Sequence, residues 1–168
     1  MRSADANSLC LECGLCCNGV IFADGQLQSR DDAARLRLLG LALLKNEKFR
    51  QPCAAFDGCR CRIYSERPNY CREFECLLLK SVRDGRTRPG AAVRIVRTAR
   101  RRVQKVKTLL RELGDDDEGV ALNKRFRRMQ RRLEKTALDE RTAEVFSRLT
   151  LAVHDLNLLL AEAFYPGS

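Results

Sequence analysis

The sequence has a single histidine, His154, which is set among helix-forming residues and far along the chain from every cysteine. No Cys–His nucleophile pair is indicated, and His154 reads as a surface or core histidine rather than a catalyst or ligand. A glycine-rich phosphate loop and a G-x-S-x-G elbow are both missing, so the usual signatures of nucleotide-driven and serine-hydrolase chemistry are absent. Residues 1–8 lack a basic segment followed by an apolar run and do not read as a secretory signal. The longest apolar stretch, residues 38–44, falls far short of the ~20 residues that span a bilayer. There is no internal repeat and no low-complexity tract. These absences lead to the expectation of a cytoplasmic chain with no membrane partner. At 168 residues it fits one domain or two small ones.

What the chain does have is cysteine, nine in all, the first at Cys10 and the last at Cys76. Cytosolic thiols are kept reduced and an odd number cannot pair completely, so metal binding or thiol chemistry is favoured over a disulfide scaffold. Cys10, Cys13, Cys16 and Cys17 stand in CLECGLCC. Successive C-x-x-C steps let thiolates curl around a metal, and Gly14 permits the tight turn this needs. Adjacent side chains such as Cys16 and Cys17 tend to diverge, which hints at two metal sites or a polynuclear centre. Cys53, Cys59, Cys61, Cys71 and Cys76 form a second, more loosely spaced group. The two groups together hold enough sulfur for two four-coordinate sites.

At these residues the sequence resembles the CxxCxxCC, or YkgJ-type, cysteine-cluster family of zinc- or iron-chelating proteins. Cys10, Cys13, Gly14, Cys16 and Cys17 match the first part of its pattern. Cys53, Cys61, Ile63, Tyr64, Arg67, Pro68, Cys71, Arg72 and Cys76 match the second. Phe56 stands near the family's usual leucine, and Cys59 is an extra cysteine. The resemblance, over roughly residues 10–76, implies a metal-ligand set of Cys10, Cys13, Cys16, Cys17, Cys53, Cys61, Cys71 and Cys76, with Cys59 set aside. It identifies no reaction, and the helical half lies outside it.

The cofactor stays open between zinc and an iron–sulfur cluster. Cys10, Cys13 and Cys16 equal the first three positions of the bacterial ferredoxin run, and a distal cysteine such as Cys76 can complete the set. The C-x3-C-x2-C spacing of radical S-adenosylmethionine chemistry is not present. Zinc on four thiolates is a closed, redox-silent staple, whereas an iron–sulfur centre allows electron transfer. Arg60, Arg62, Arg67 and Arg72 can donate to sulfur or be ordinary surface arginines. Tyr64 and Tyr70 either cover the cluster or pack in a small core.

Residues 84–90, DGRTRPG, carry the breakers of a connection and divide a cysteine-cluster region, 1–84, from a basic helical bundle, 85–168. Val96, Ala99, Val103, Val106, Leu110 and Leu113 recur at helical spacing, as do Leu122, Phe126, Met129, Leu133 and Ala137. A third helix is capped by Asp139 and stopped by Pro166. A shorter one, capped by Asp31 or Asp32, reaches about Leu44. The expected fold is mainly α, a loop-rich metal-organised N-terminal half packed on a C-terminal three-helix antiparallel bundle. The surplus of basic over acidic residues between positions 80 and 135 exceeds the whole net charge of +10. Arg100, Arg101, Arg102, Lys105 and Lys107, with Lys124, Arg125, Arg127, Arg128, Arg131 and Arg132, make two basic stretches. They can serve a nucleic acid or an acidic protein partner, or form a solvated face. The leading reading is a metal-binding cysteine-cluster protein with a structural or redox centre. The alternatives are a nucleic-acid-binding module with structural zinc, and an iron–sulfur oxidoreductase.

Overall fold

The computed structural model describes residues 2–58 and 60–165. Cys59 and Pro166, each given a role above, lie outside the described residues. The chain is mainly helical. Its elements run α1 (Arg2–Cys13), β1 (Asp24–Gln26), α2 (Ala33–Leu38), β2 (Lys48–Arg50), α3 (Asn69–Glu73), α4 (Leu77–Arg83), α5 (Pro89–Glu112), α6 (Leu122–Leu133) and α7 (Glu140–Ala163). The two strands form one short antiparallel pair that sets Gly25 opposite Phe49.

The long helices follow from the apolar spacing. In α5 the buried line is Ala92, Val96, Ala99, Val103, Val106 and Leu110. Pro89 starts the helix where a missing N–H costs nothing, which places the start seven residues before the first periodic valine, Val96. The N-cap of α7 is Asp139, whose carboxylate accepts from the Thr142 N–H at 2.9 Å and the Thr142 hydroxyl at 2.8 Å. Val145, Leu149, Ala152, Leu156 and Leu160 are its buried face. Capping of α2 falls to Asp32, and the helix stops at Leu38 rather than near Leu44. Its end is a Schellman turn: the Gly40 N–H donates to Arg37 O and the Leu41 N–H to Leu36 O, with Gly40 at φ +92°.

The helix α5 is the hub of the molecule. It packs along α7 and also against α1, α6 and α4. The helices of the cysteine half thus share a core with those of the basic half, and Leu9, Leu15 and Leu78 are buried with Val96, Leu149 and Phe164. A second, smaller core of Leu27, Leu36, Leu41, Phe49, Ala55 and Ile63 lies under the hairpin and the loops around it.

One expectation about the basic stretches is corrected. Arg125 is not on a solvated face but 1 % exposed. Its Nε donates to Asp115 Oδ1 at 2.9 Å and its terminal nitrogen to the Asp115 carbonyl at 2.7 Å. Arg128 holds the other oxygen of the same carboxylate at 2.8 Å, and Arg132 donates to the Leu113 carbonyl. The acidic turn after α5 draws this side of α6 inward, because a carboxylate can be buried only when its charge is met.

Candidate metal centre

Helix α1 places Cys10 and Cys13 three residues apart, on one face of its last turn. Gly14 then turns the chain at φ +65°, and a Cβ there would stand 2.7 Å from Phe56 Cζ. Glycine is required at this point both for the conformation and for the close approach of the ring. The Gly14 carbonyl accepts from the N–H groups of Cys17 and Asn18 at 3.0 and 2.9 Å, a tight loop that carries Cys16 and Cys17. The Cys53 N–H donates to the Cys17 carbonyl at 2.8 Å and ties the second cysteine group to the first. An isolated bridge pairs Phe56 with Cys61. Cys71 is carried on α3, and Cys76 caps α4, where its sulfur accepts from the Leu79 N–H at 3.4 Å.

All eight sulfur-bearing residues named from the sequence line one cavity of about 180 Å³. Their electrostatics separate them into two sets. Burial first, and then the Cys76 thiol, push Cys10 up to about 11. Cys13 is pushed up to about 12 by burial, with Cys76 and Cys10 adding to it. Cys16 is raised well above its ordinary value by burial and by Cys13, Cys17, Cys76 and Cys10. Cys17 is pushed up to about 12 by burial, then by Cys61, Cys71 and Cys53, with Cys10 last. Burial, then Cys53 and Cys61, do the same to Cys71, which also reaches about 12. Cys10, Cys13 and Cys16 are thus grouped with Cys76, and Cys17 with Cys53, Cys61 and Cys71, although Cys17 acts on Cys16 more strongly than Cys76 or Cys10 does.

Packing divides six of them in the same way. Cys13, Cys16 and Cys76 lie against the helical core, whereas Cys53, Cys61 and Cys71 lie against the small core. Each set of four joins residues that the chain brings from two separate segments. As the side chains stand, no group of three or more Cys, His, Asp or Glu among the described residues is drawn together tightly enough to hold an ion. The donor chemistry nevertheless fits a soft metal. Cys10 is exposed and the other seven are half-buried; the thiols raised in pKa are neutral as they stand, and a cation that displaces their protons would offset the cost of partly desolvating thiolates.

The flanking residues separate by contact. Arg67 lowers both Cys10 and Cys71, one from each set, and its guanidinium lies 3.8 Å from the centre of the Tyr64 ring. Arg62 donates to the Ala54 carbonyl, and Arg72 to the carbonyls of Arg67 and Ser65, so both brace the backbone. The Arg60 N–H donates to Asp57. Tyr64 lines the cavity. Tyr70 also reaches it, packing edge-on against Phe22 and Phe49. Two contributors went unnoticed in the sequence. Gln51 is a buried polar residue on the cavity wall, and Arg100 of α5 donates to the Glu12 carbonyl at 2.9 Å and lowers Cys13. An isolated glutamine and one arginine in a basic run carry no signal at the sequence level.

A mainly helical domain with eight cysteines around one cavity defines a class of cysteine-cluster metal-binding domains. The model of the CxxCxxCC family, described as "Putative zinc- or iron-chelating domain", matches residues 9–106, more than half of the chain, and the chain belongs to this family. The match extends past Cys76 into α5, further than the motif residues alone reach. The structure supplies the reason, because α5 is the surface on which the cysteine-bearing α1 and α4 are laid. The chain matches no curated protein and no solved structure. Among the described residues, no helix is long and apolar enough to cross a membrane.

Proposed function

We propose that the protein carries two four-thiolate metal centres: an iron–sulfur cluster on Cys10, Cys13, Cys16 and Cys76, and a structural centre on Cys17, Cys53, Cys61 and Cys71. The observation that supports this reading is the packing of Cys13, Cys16 and Cys76 on the helical core and of Cys53, Cys61 and Cys71 on the small core, with Cys17 tied to Cys53 by a 2.8 Å backbone hydrogen bond. The first set has C-x2-C-x2-C with one distal cysteine, as in ferredoxin-type clusters, where the last cysteine of the run serves the other centre. That fourth position, three residues beyond Cys16, is Val20 here, and the cysteine available to the other centre is the adjacent Cys17. An iron–sulfur cluster would supply one-electron transfer. The chain's own part is to seat it on three helices: α1 presents Cys10 and Cys13, α4 caps with Cys76, and α5 backs both. Leu79 N–H at the start of α4 favours an anionic sulfur on Cys76. The second set closes the hairpin region onto the Gly14 loop and α3, the task of a saturated structural site.

The test is metal analysis of protein purified without oxygen, with iron, sulfide and zinc quantified beside a visible spectrum. Iron and sulfide with broad visible absorption, lost in Cys13→Ser but kept in Cys53→Ser, is the expected result. Two zinc ions in a colourless protein would remove the redox reading and leave two structural sites. A metal-free protein whose thiols all titrate would remove both.

A second reading, nucleic-acid binding through the basic half, is supported by one feature. Arg94, Arg97, Arg101 and Lys105 are exposed on the outer side of α5, and no acidic residue occurs between positions 88 and 111. This reading expects salt-sensitive binding to RNA or DNA, and binding that is absent or indifferent to salt rules it out.

A further inference from the structure

Among the described residues, two buried side-chain atoms have no hydrogen-bond partner, Gln51 Oε1 and Tyr64 Oη. Gln51 as a whole is 4 % exposed, and both residues line the cavity that the eight cysteines share. Their positions are well fixed. The Gln51 N–H donates to the Ala23 carbonyl at 3.1 Å. Arg67 both covers the Tyr64 ring and donates to the Tyr64 carbonyl at 3.2 Å.

Native folds rarely leave a buried polar group unpaired, because it has given up water and received nothing in return. In this cavity sulfur is the partner at hand. A neutral thiol is a weak acceptor, whereas a metal-bound thiolate is anionic and accepts strongly. The Tyr64 hydroxyl is a donor as it stands. The two ends of the Gln51 amide are nearly equivalent in shape, so a half-turn about its last torsion puts an N–H where Oε1 now lies.

We propose that Gln51 and Tyr64 complete the second centre as positioning residues: the Gln51 amide N–H and the Tyr64 O–H donate to metal-bound sulfurs of the set Cys17, Cys53, Cys61 and Cys71. The assignment to this set follows the chain, since Gln51 stands two residues before Cys53 and Tyr64 three after Cys61. The proposal rests on the two-centre reading above. Hydrogen bonds of this kind fix the ligand sulfurs, and their loss weakens metal affinity by roughly 10–100-fold.

Cobalt(II) titration of the full chain, without oxygen and followed by thiolate-to-cobalt absorption against a competing chelator, tests it. A Cys13→Ser background leaves only the second set whole, and a Cys53→Ser background only the first. Tyr64→Phe and Gln51→Leu should each weaken cobalt affinity by roughly tenfold or more in the first background and by less than about twofold in the second. Thermal unfolding of the metal-free variants separates positioning from mere packing. Removing a polar group that has no partner in the metal-free state should leave the midpoint unchanged or raise it. Equal affinities with and without the substitutions in the Cys13→Ser background overturn the inference. So does an equal loss in both backgrounds, or a lowered metal-free midpoint. If the parent chain takes up no cobalt in either background, the two-centre reading falls and this inference with it. If the parent binds and the variants match it, this inference alone falls.

Discussion

Arg125 and Asp115 form a buried ion pair, with Nε 2.9 Å from Oδ1 and both side chains almost wholly removed from solvent. The pair joins the first turns of α6 to the end of α5, across the turn that closes the hub helix. Removing one member of such a pair strands the other charge, whereas exchanging both for apolar groups does not. Here Arg125→Met leaves Asp115 held by Arg128 and unpairs the Asp115 carbonyl, so stability should fall by about 1.5–3 kcal/mol. The double variant Arg125→Met with Asp115→Leu should recover a large part of that. Denaturant unfolding of the two variants and the parent checks it, and additive losses would show that the pair is not coupled.

The same pair gives stability an acid-sensitive component. Burial alone would raise the Asp115 carboxyl, but hydrogen bonds from Arg128 and Arg125 overcome it and hold the group below its ordinary value. The unfolded carboxyl, with a pKa of about 3.9, is then protonated before the folded one. Below that pH the unfolded state binds more protons, so stability falls as acid is added until the lowered folded value is passed. Above it the contribution is complete. Unfolding of the metal-free chain between about pH 5 and pH 2 should show this slope, reduced in Asp115→Asn. Equal slopes in the two proteins would assign the acid sensitivity to other groups.

Gly14 stands where the backbone conformation and the space both exclude a side chain. Gly14→Ala must adopt a left-handed conformation that costs about 1–2 kcal/mol for an L-residue, and its Cβ would also press on the Phe56 ring. Because this turn carries both Cys16 and Cys17, the expected result is a chain less stable by at least that amount, with metal content lowered at both sets of four. Normal metal content with lowered stability would show that the loop tolerates a shift without losing its sulfur geometry.

The parts of this molecule that were legible in the sequence are those governed by local chemistry. The periodic valines and leucines of α5, the Leu122, Met129 and Leu133 line of α6 and the Asp139 cap of α7 each state their structure within a few residues, whereas Ala137, expected to extend that line, is exposed beyond the end of α6. The cysteines announced a metal function through their spacing. What stayed hidden depends on distant partners. Among the side chains of helix α1 that are described, Leu9 is the buried one, in a largely polar stretch, and the helix is held by packing on α5 and α4 rather than by its own pattern. Arg125 looked like one more cation in a basic run until Asp115 was brought beside it. The division of the thiols was invisible for the same reason: Cys76 joins Cys10 only because α4 packs on α1, and Cys53 joins Cys17 through a backbone hydrogen bond across the loop.

That division leads to a sharp contrast between neighbours. Cys16 and Cys17 are adjacent, yet Cys16 packs with Cys13 and Cys76 on the helical core while Cys17 is tied by its carbonyl to Cys53, which packs with Cys61 and Cys71 on the small core. Cys16→Ser should remove the metal of the first set and leave the second, and Cys17→Ser should do the reverse. The losses should also differ in their mechanical effect. Without Cys17 the hairpin region loses its link to the Gly14 loop, so protease sensitivity should appear around residues 48–61. Without Cys16 the helical core, which carries most of the buried apolar side chains, should keep its cooperative unfolding. Metal content per chain and limited proteolysis of the two variants measure both. If either serine variant loses both metals together, the eight thiols serve one shared centre and the boundary drawn between Cys16 and Cys17 is wrong.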